Sequence, residues 1–468
     1  MMLSRKALTA ITAAVLISRL TSHVSPLAAQ DFTTRADSIL HAFVGADAPG
    51  CAVAIDSAGS VAYRGAFGLA ELEHQIPITV GTIFEAGSVS KQFTAAAVLL
   101  LEARGELSLD DPVQQWFPEI PRYQWPVTIR HLMLHTSGMR DWGAVMGLAG
   151  WPRWTAAYTH ADALAIIARQ RDLNHEPGAA FSYTNTGYNL MAMLVERVAG
   201  ESFAAFTHRE FFQPLGMTHT TWRDDYTRIV PGRAQAYQRR DGAWHLDMPI
   251  EHVFGNGGLL TTVEDLLRWT AALATGRLGS PDVSTAMRTS GRYTDGRPVN
   301  YGGGIFLTPI RGVTSFNHGG ATAGYRAFLG YFPEQQVSAA ILCNRADANT
   351  AALNITLLGG VLPFGRTPPP TAPEAVSRQP LEPTQLAAYT GTWWSDEVAA
   401  SLRIFTREAR LYVERRPGQV DELFAVGTAD RFTTRGNLGL RFERDSSGSV
   451  TRLVVSVSRV NAMPYSRK

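Results

Sequence analysis

Apolar residues recur at helical spacing at Phe32, Ala36, Ile39, Leu40 and Phe43, which predicts a helix over 32–44 stopped by Gly45 and Pro49-Gly50. Two short apolar runs, 51–56 and 61–67, flank a Ser-Ala-Gly-Ser turn and predict a β-hairpin. The run 93–101 is apolar almost without interruption and follows Gly87-Ser88, so a helix is expected there, ending near Gly105. Helical segments follow, started by Thr128, by Thr159 with Asp162, by Ser202 and by Thr262 with Asp265; another runs to about 198, with Gly200 as its stop. Asp241-Gly242 marks a hairpin among them. From Tyr301 the period shortens, and 304–307, 313–317, 325–332 and 337–344 are predicted strands. A hairpin first, helices in the middle and strands last predict an α+β domain whose antiparallel sheet is assembled from both ends of the domain and flanked by helices.

The tract Thr367-Pro368-Pro369-Pro370-Thr371-Ala372-Pro373 reads as a stiff extended linker. Beyond it the pattern is short strands only, opening at 389–393 and continuing at 402–405, 410–414, 421–426, 431–434, 440–444 and 450–458. That regular spacing predicts a small all-β barrel. At 468 residues the chain exceeds what one core usually holds. The expected division is a secretory signal over 1–30, a first domain over 31–365, a linker over 366–380 and the barrel over 381–468.

The signal reading rests on Arg5 and Lys6, the apolar run 7–17 and Pro26-Leu27-Ala28-Ala29 before a cut near Ala29. It implies export to a periplasmic or extracellular space, with an imperfect cleavage site that leaves a retained anchor open. Removing it leaves 40 basic against 41 acidic residues. Binding to nucleic acid or to an anionic membrane is therefore not expected, since either calls for a basic excess. Cys51 and Cys343 are the only cysteines and lack metal-ligand spacing; no metal and no cofactor are expected.

Of 43 basic residues only Lys6, Lys91 and Lys468 are lysine, so Lys91 is the one interior cation able to give up its proton. Ser88-Val89-Ser90-Lys91 opens a helix, and three residues bring Ser88 and Lys91 to one face. A hydroxyl beside a desolvated amine is an activated nucleophile; a solvated helix start has the same spelling. Tyr183-Thr184-Asn185 places a phenol and a carboxamide on one edge of an extended loop, and His318-Gly319-Gly320-Ala321 ends a strand with glycines that admit a ligand to the backbone.

Ser-x-x-Lys after a hairpin, Tyr-x-Asn and a late His-x-Gly, in this order, resemble the serine β-lactamase and penicillin-binding hydrolases, in the branch similar to class C β-lactamases. The resemblance spans roughly 32–362; the region past 380 resembles the lipocalin-like barrel of some peptidases and esterases of that family. It implies Ser88 as nucleophile, Lys91 as base or relay, Tyr183 as second acid/base and His318 in the third motif. It further implies Asn185 and the Gly320-Ala321 backbone as substrate-binding groups, with the N–H groups of Ser88 and Ala321 as oxyanion hole. The implied substrates are small amides, esters or short D-residue peptides, through an acyl-enzyme. The third motif departs from the Lys-Thr-Gly of classical β-lactamases and transpeptidases, which argues for the esterase and D-peptidase relatives over a β-lactamase or D-alanyl-D-alanine carboxypeptidase. A ligand-binding sensor that acylates without turnover stays open. The implied sheet order would also make the strands of Cys51 and Cys343 antiparallel neighbours, either bridged or carrying buried thiols.

Overall fold

The computed structural model describes residues 26–45, 47–153, 155–366, 378–379, 386–427 and 430–468. The expected signal up to residue 25, and the expected linker apart from 366 and 378–379, lie outside the described residues.

Helix α1 (Pro26–Phe43) leads into strands β1 (Cys51–Ser57) and β2 (Ser60–Phe67). Helices α2 (Lys91–Ala103), α3 (Asn185–Ala199) and α4 (Val263–Thr275) belong to the middle of the chain. Strands β3 (Phe316–Thr322), β4 (Tyr325–Phe332) and β5 (Val337–Cys343) and helix α5 (Thr350–Leu358) close the domain. The sheet runs β3-β4-β5-β1-β2, antiparallel throughout, so the two ends of the first domain do meet in one sheet. Period two sorts its side chains: Cys51, Val53 and Ile55 pack with Ile341 and Phe328 towards α1 and α5, while Ala52 and Ala54 face the helical core. Alanines on that second face let α4 lie close against the sheet.

Cys51 and Cys343 are paired in register across β1 and β5 and form a disulfide. Helix α2 is buried nearly all round, which is why its sequence is apolar on every face. Phe93 stacks on Trp269 of α4 with ring centroids 3.9 Å apart.

Two strand expectations are corrected. Residues 304–307 are not a strand: Gly304 has φ +73° and sits against the Lys91 carbonyl, where a Cβ would come within 2.5 Å. The strand expected over 313–317 begins at Phe316 and runs on through His318-Gly319-Gly320-Ala321 to Thr322, so the third motif is inside an edge strand, not at its end. Glycines that look like a strand stop are tolerated because the neighbouring backbone occupies the space their side chains would fill.

Past residue 386, strands β6 (Gly391–Ser395), β7 (Ala400–Arg407), β8 (Arg410–Arg416), β9 (Gln419–Val426), β10 (Arg431–Thr433), β11 (Gly439–Arg444), β12 (Val450–Val457) and β13 (Val460–Arg467) form a closed eight-stranded antiparallel barrel. Pairing of β9 with β10 and of β6 with β13 completes the circuit. The pair Arg378–Gln379 adds a short outer strand beside β9. The sequence pattern stops one strand early, at 458, because Pro464 and polar neighbours disguise β13. Among the described residues no helix is long and apolar enough to cross a membrane.

Candidate active site

Residues Gly87–Ser90 form one tight 3-10 turn feeding α2, so Ser88 stands at a helix entrance with its own N–H outside the helical ladder. The buried Ser90 hydroxyl fixes the turn by donating to the Gly87 carbonyl (2.6 Å) and accepting from the Leu259 N–H (3.1 Å). Strand β3 lies against it backbone to backbone. A Cβ on Gly320 would stand 2.0 Å from the Ala86 carbonyl oxygen, and one on Gly87, at φ +51°, 2.6 Å from the Ala321 nitrogen. The Asn317 N–H and carbonyl both bond Phe306, away from β4, so by alternation the Ala321 N–H also points off the open edge of β3. Two N–H groups, of Ser88 and Ala321, therefore border the same cleft.

Lys91 is wholly buried, and its Nζ has three neighbours: Asn185 Oδ1 at 3.0 Å, the Asn256 carbonyl at 2.7 Å and Ser88 Oγ at 3.2 Å. The first two accept only, so they take two N–H bonds. The position left over faces Ser88, and in a neutral amine it is the lone pair. Burial, then the positive charges of Arg153 and Arg459, hold Lys91 well below the usual lysine pKa, against an opposing pull from Asp141.

Tyr183 ends an extended segment, Thr184 caps α3, and Asn185 is the first residue of α3 rather than part of a loop edge. The Asn185 N–H donates to Asp141 Oδ2 (2.7 Å), and its Oδ1 is held by Lys91, which leaves the amide N–H groups for a substrate carbonyl. The Tyr183 ring lies 4.9 Å from Lys91 Nζ and 4.2 Å from the ring of buried His135. Burial raises the Tyr183 phenol above its ordinary range. Its oxygen makes no hydrogen bond of normal geometry, yet it is near enough to Ser88 for that hydroxyl to draw the pKa partly back.

His318 reaches the cleft wall but is buried, with Nδ1 2.6 Å from the Gly319 carbonyl and Nε2 3.2 Å from the Tyr301 hydroxyl. A neutral imidazole satisfies both contacts. Burial, then the charge of Lys91, takes its pKa down to about 3. The third motif thus supplies no cation.

All seven residues singled out in the sequence line or border one cleft of about 890 Å³. Three other residues belong to the site. Asn256 gives its carbonyl to Lys91 and its side chain to Asn189, a role no side-chain pattern announces. Asp141 lines the cleft while capping the helix that begins at Trp142. Arg459 enters from the barrel, on the turn between β12 and β13, and its guanidinium carbon sits 5.1 Å over the Tyr183 ring. Only recognition of β13 would have placed that arginine on a hairpin tip. Among the described residues Glu71, Glu73 and His74 are close enough together to share a metal ion, and none of them lines the cleft.

A serine at a helix entrance, a buried amine against its oxygen and paired N–H groups opposite define an acyl-transferring serine hydrolase. The Beta-lactamase family profile matches residues 36–359, and the chain belongs to that family. It is 28% identical over 376 residues to penicillin-binding protein 4* of Bacillus subtilis (strain 168), covering 76% of this chain and 81% of that one. It is likewise 28% identical over 360 residues to a D-aminopeptidase of Gluconobacter oxydans (strain 621H), covering 76% of this chain and 65% of the relative. Among solved structures, the octameric penicillin-binding protein homologue from Pyrococcus abyssi superposes with a TM-score of 0.60 at 24% identity, over 89% of this chain and 95% of that one.

Proposed function

We propose that this serine hydrolase is an exported enzyme that cleaves small amides or esters of D-configured residues through an acyl-enzyme on Ser88. The contact that carries the reading is Lys91 Nζ against Ser88 Oγ at 3.2 Å, with the other donors of the amine already committed. Ser88 Oγ attacks the substrate carbonyl and its proton passes to Lys91. The oxyanion forms between the N–H groups of Ser88 and Ala321. When the intermediate collapses, the carbon–nitrogen or carbon–oxygen bond breaks and the leaving group is protonated through Tyr183. Water then attacks the ester and frees Ser88. Assigning the base role to Lys91 and the acid role to Tyr183 follows their opposite pKa directions, since burial favours the neutral amine and the protonated phenol.

The D-configuration is suggested by the D-aminopeptidase relatives, and export by the sequence of the first 30 residues. Rates with the D and L enantiomers of N-acetyl-alanine p-nitroanilide, beside p-nitrophenyl acetate, test the reading in wild type and Ser88→Ala. Turnover that prefers the D form and disappears in Ser88→Ala supports it. Full turnover by Ser88→Ala contradicts it, and a lasting adduct on Ser88 by intact mass would mark a sensor instead.

A further inference from the structure

Arg459 is held where a specificity group belongs. The hairpin tip that carries it is pinned to the hydrolase domain through the Arg459 carbonyl, which accepts from the Asp141 N–H (3.3 Å) and Asn174 Nδ2 (3.1 Å), and through the Asn461 N–H, which donates to Asn174 Oδ1 (2.7 Å). A second barrel turn clamps the same region. Glu397, between β6 and β7, is buried; it accepts from Arg140 (2.5 Å) and the Arg171 N–H (2.7 Å), while its carbonyl accepts from Gln170 (2.9 Å). The barrel is therefore docked, and the Arg459 position is fixed with it.

The guanidinium is not used up by that docking. Its ionic neighbour, Asp141, already accepts from the Asn185 and Ala144 N–H groups at 2.7 and 3.1 Å, and Arg459 Nη1 stands off at 3.5 Å. The arginine side chain keeps 40% of its surface open, in the cleft. A planar fork with spare N–H groups, stacked on an aromatic face, is built for a carboxylate. The other basic groups at the cleft are engaged or uncharged: Arg153 is paired with Glu251, Lys91 is spent on Ser88, Asn185 and Asn256, and His318 is neutral.

We propose that Arg459 binds a carboxylate on the leaving-group side of the substrate, so that the barrel of the same chain supplies the fixed cation the third motif lacks. The side is set by Tyr183, which Arg459 covers and which, on the hydrolase reading above, protonates the leaving group. The inference rests on that reading and narrows its substrate class to amides and esters whose departing half is an acid.

Two thioesters of N-acetyl-D-alanine test it, one with mercaptoacetate and one with mercaptoacetamide as leaving thiol, followed by thiol release with the full-length protein. Wild type should favour the acid by about tenfold or more in kcat/KM, chiefly through KM. Arg459→Ala should erase that ratio and Arg459→Lys should restore part of it. Equal rates on the two thioesters in wild type, or an unchanged ratio in Arg459→Ala with both rates lowered together, would overturn the proposal and leave Arg459 a docking residue. Equal wild-type rates overturn the proposal even where Arg459→Ala fails to fold, and Arg459→Lys then carries the assignment in its place. Thioester turnover that survives in Ser88→Ala would instead break the hydrolase reading, a separate outcome.

Discussion

The floor of the cleft and its rim are made in opposite ways. The floor, Ser88 with Lys91, is a local device: residues three apart on one turn, sealed by carbonyls and carboxamides of the same domain. The rim at Arg459 comes from a residue 371 positions beyond Ser88, on a hairpin of another fold, held by backbone contacts to a loop. Chemistry that needs a proton moved over about 3 Å is encoded where sequence spacing fixes distance. Selectivity needs only a charge at the mouth, and a docked module can carry it.

The floor should break hardest. Ser88→Ala and Lys91→Ala are each expected to lower kcat/KM by about 10⁴-fold or more, read with p-nitrophenyl acetate. Lys91→Arg should not rescue, because a guanidinium stays protonated. The docking of the rim comes next. Glu397→Gln leaves Arg140 buried without its charge partner and should cost about 3–5 kcal/mol, seen as an earlier unfolding of the barrel in calorimetry. Equal unfolding of wild type and variant would mean the clamp contributes nothing.

The disulfide sharpens the contrast from the other side, since it braces the sheet behind the floor and closes a span of 292 residues. Reduction, or Cys51→Ala with Cys343→Ala, should lower stability by about 2–5 kcal/mol in a denaturant titration while leaving the 3.2 Å Ser88–Lys91 contact in place.

The last effect is confined to acid pH and is absent at neutral pH. Folded His318 refuses its proton until about pH 3, whereas in the unfolded chain it takes one up near 6.5. Stability should therefore be unaffected by this group above pH 6.5 and fall as pH is lowered from there towards 3. His318→Gln should flatten that part of the stability curve, measured as Tm against pH; an unchanged slope would show that another group sets it.

The parts that were legible in the sequence were those where one residue type has one physical use. A lone interior lysine three residues from a serine and strands of regular spacing each announced themselves. What stayed hidden depended on long-range contact. Gly304 looked like the start of a strand because its left-handed backbone is imposed by α2, not by its neighbours. The third motif looked like a strand end because two glycines usually are one, and only the Ala86 carbonyl packed against Gly320 explains them. Strand β13 was disguised by Pro464, and with it went the tip that presents Arg459. A main-chain acceptor such as Asn256 has no signature at all.

The account turns on the charge of Lys91, and the composition makes that charge directly observable. With only three lysines in the sequence, the protein labelled with ¹³C and ¹⁵N lysine gives a spectrum simple enough to follow the Lys91 side chain through a pH titration. The amine should titrate well below the ordinary lysine value of about 10.4, and well below Lys468. A Lys91 resonance that stays protonated at pH 7 and titrates alongside Lys468 would contradict the account.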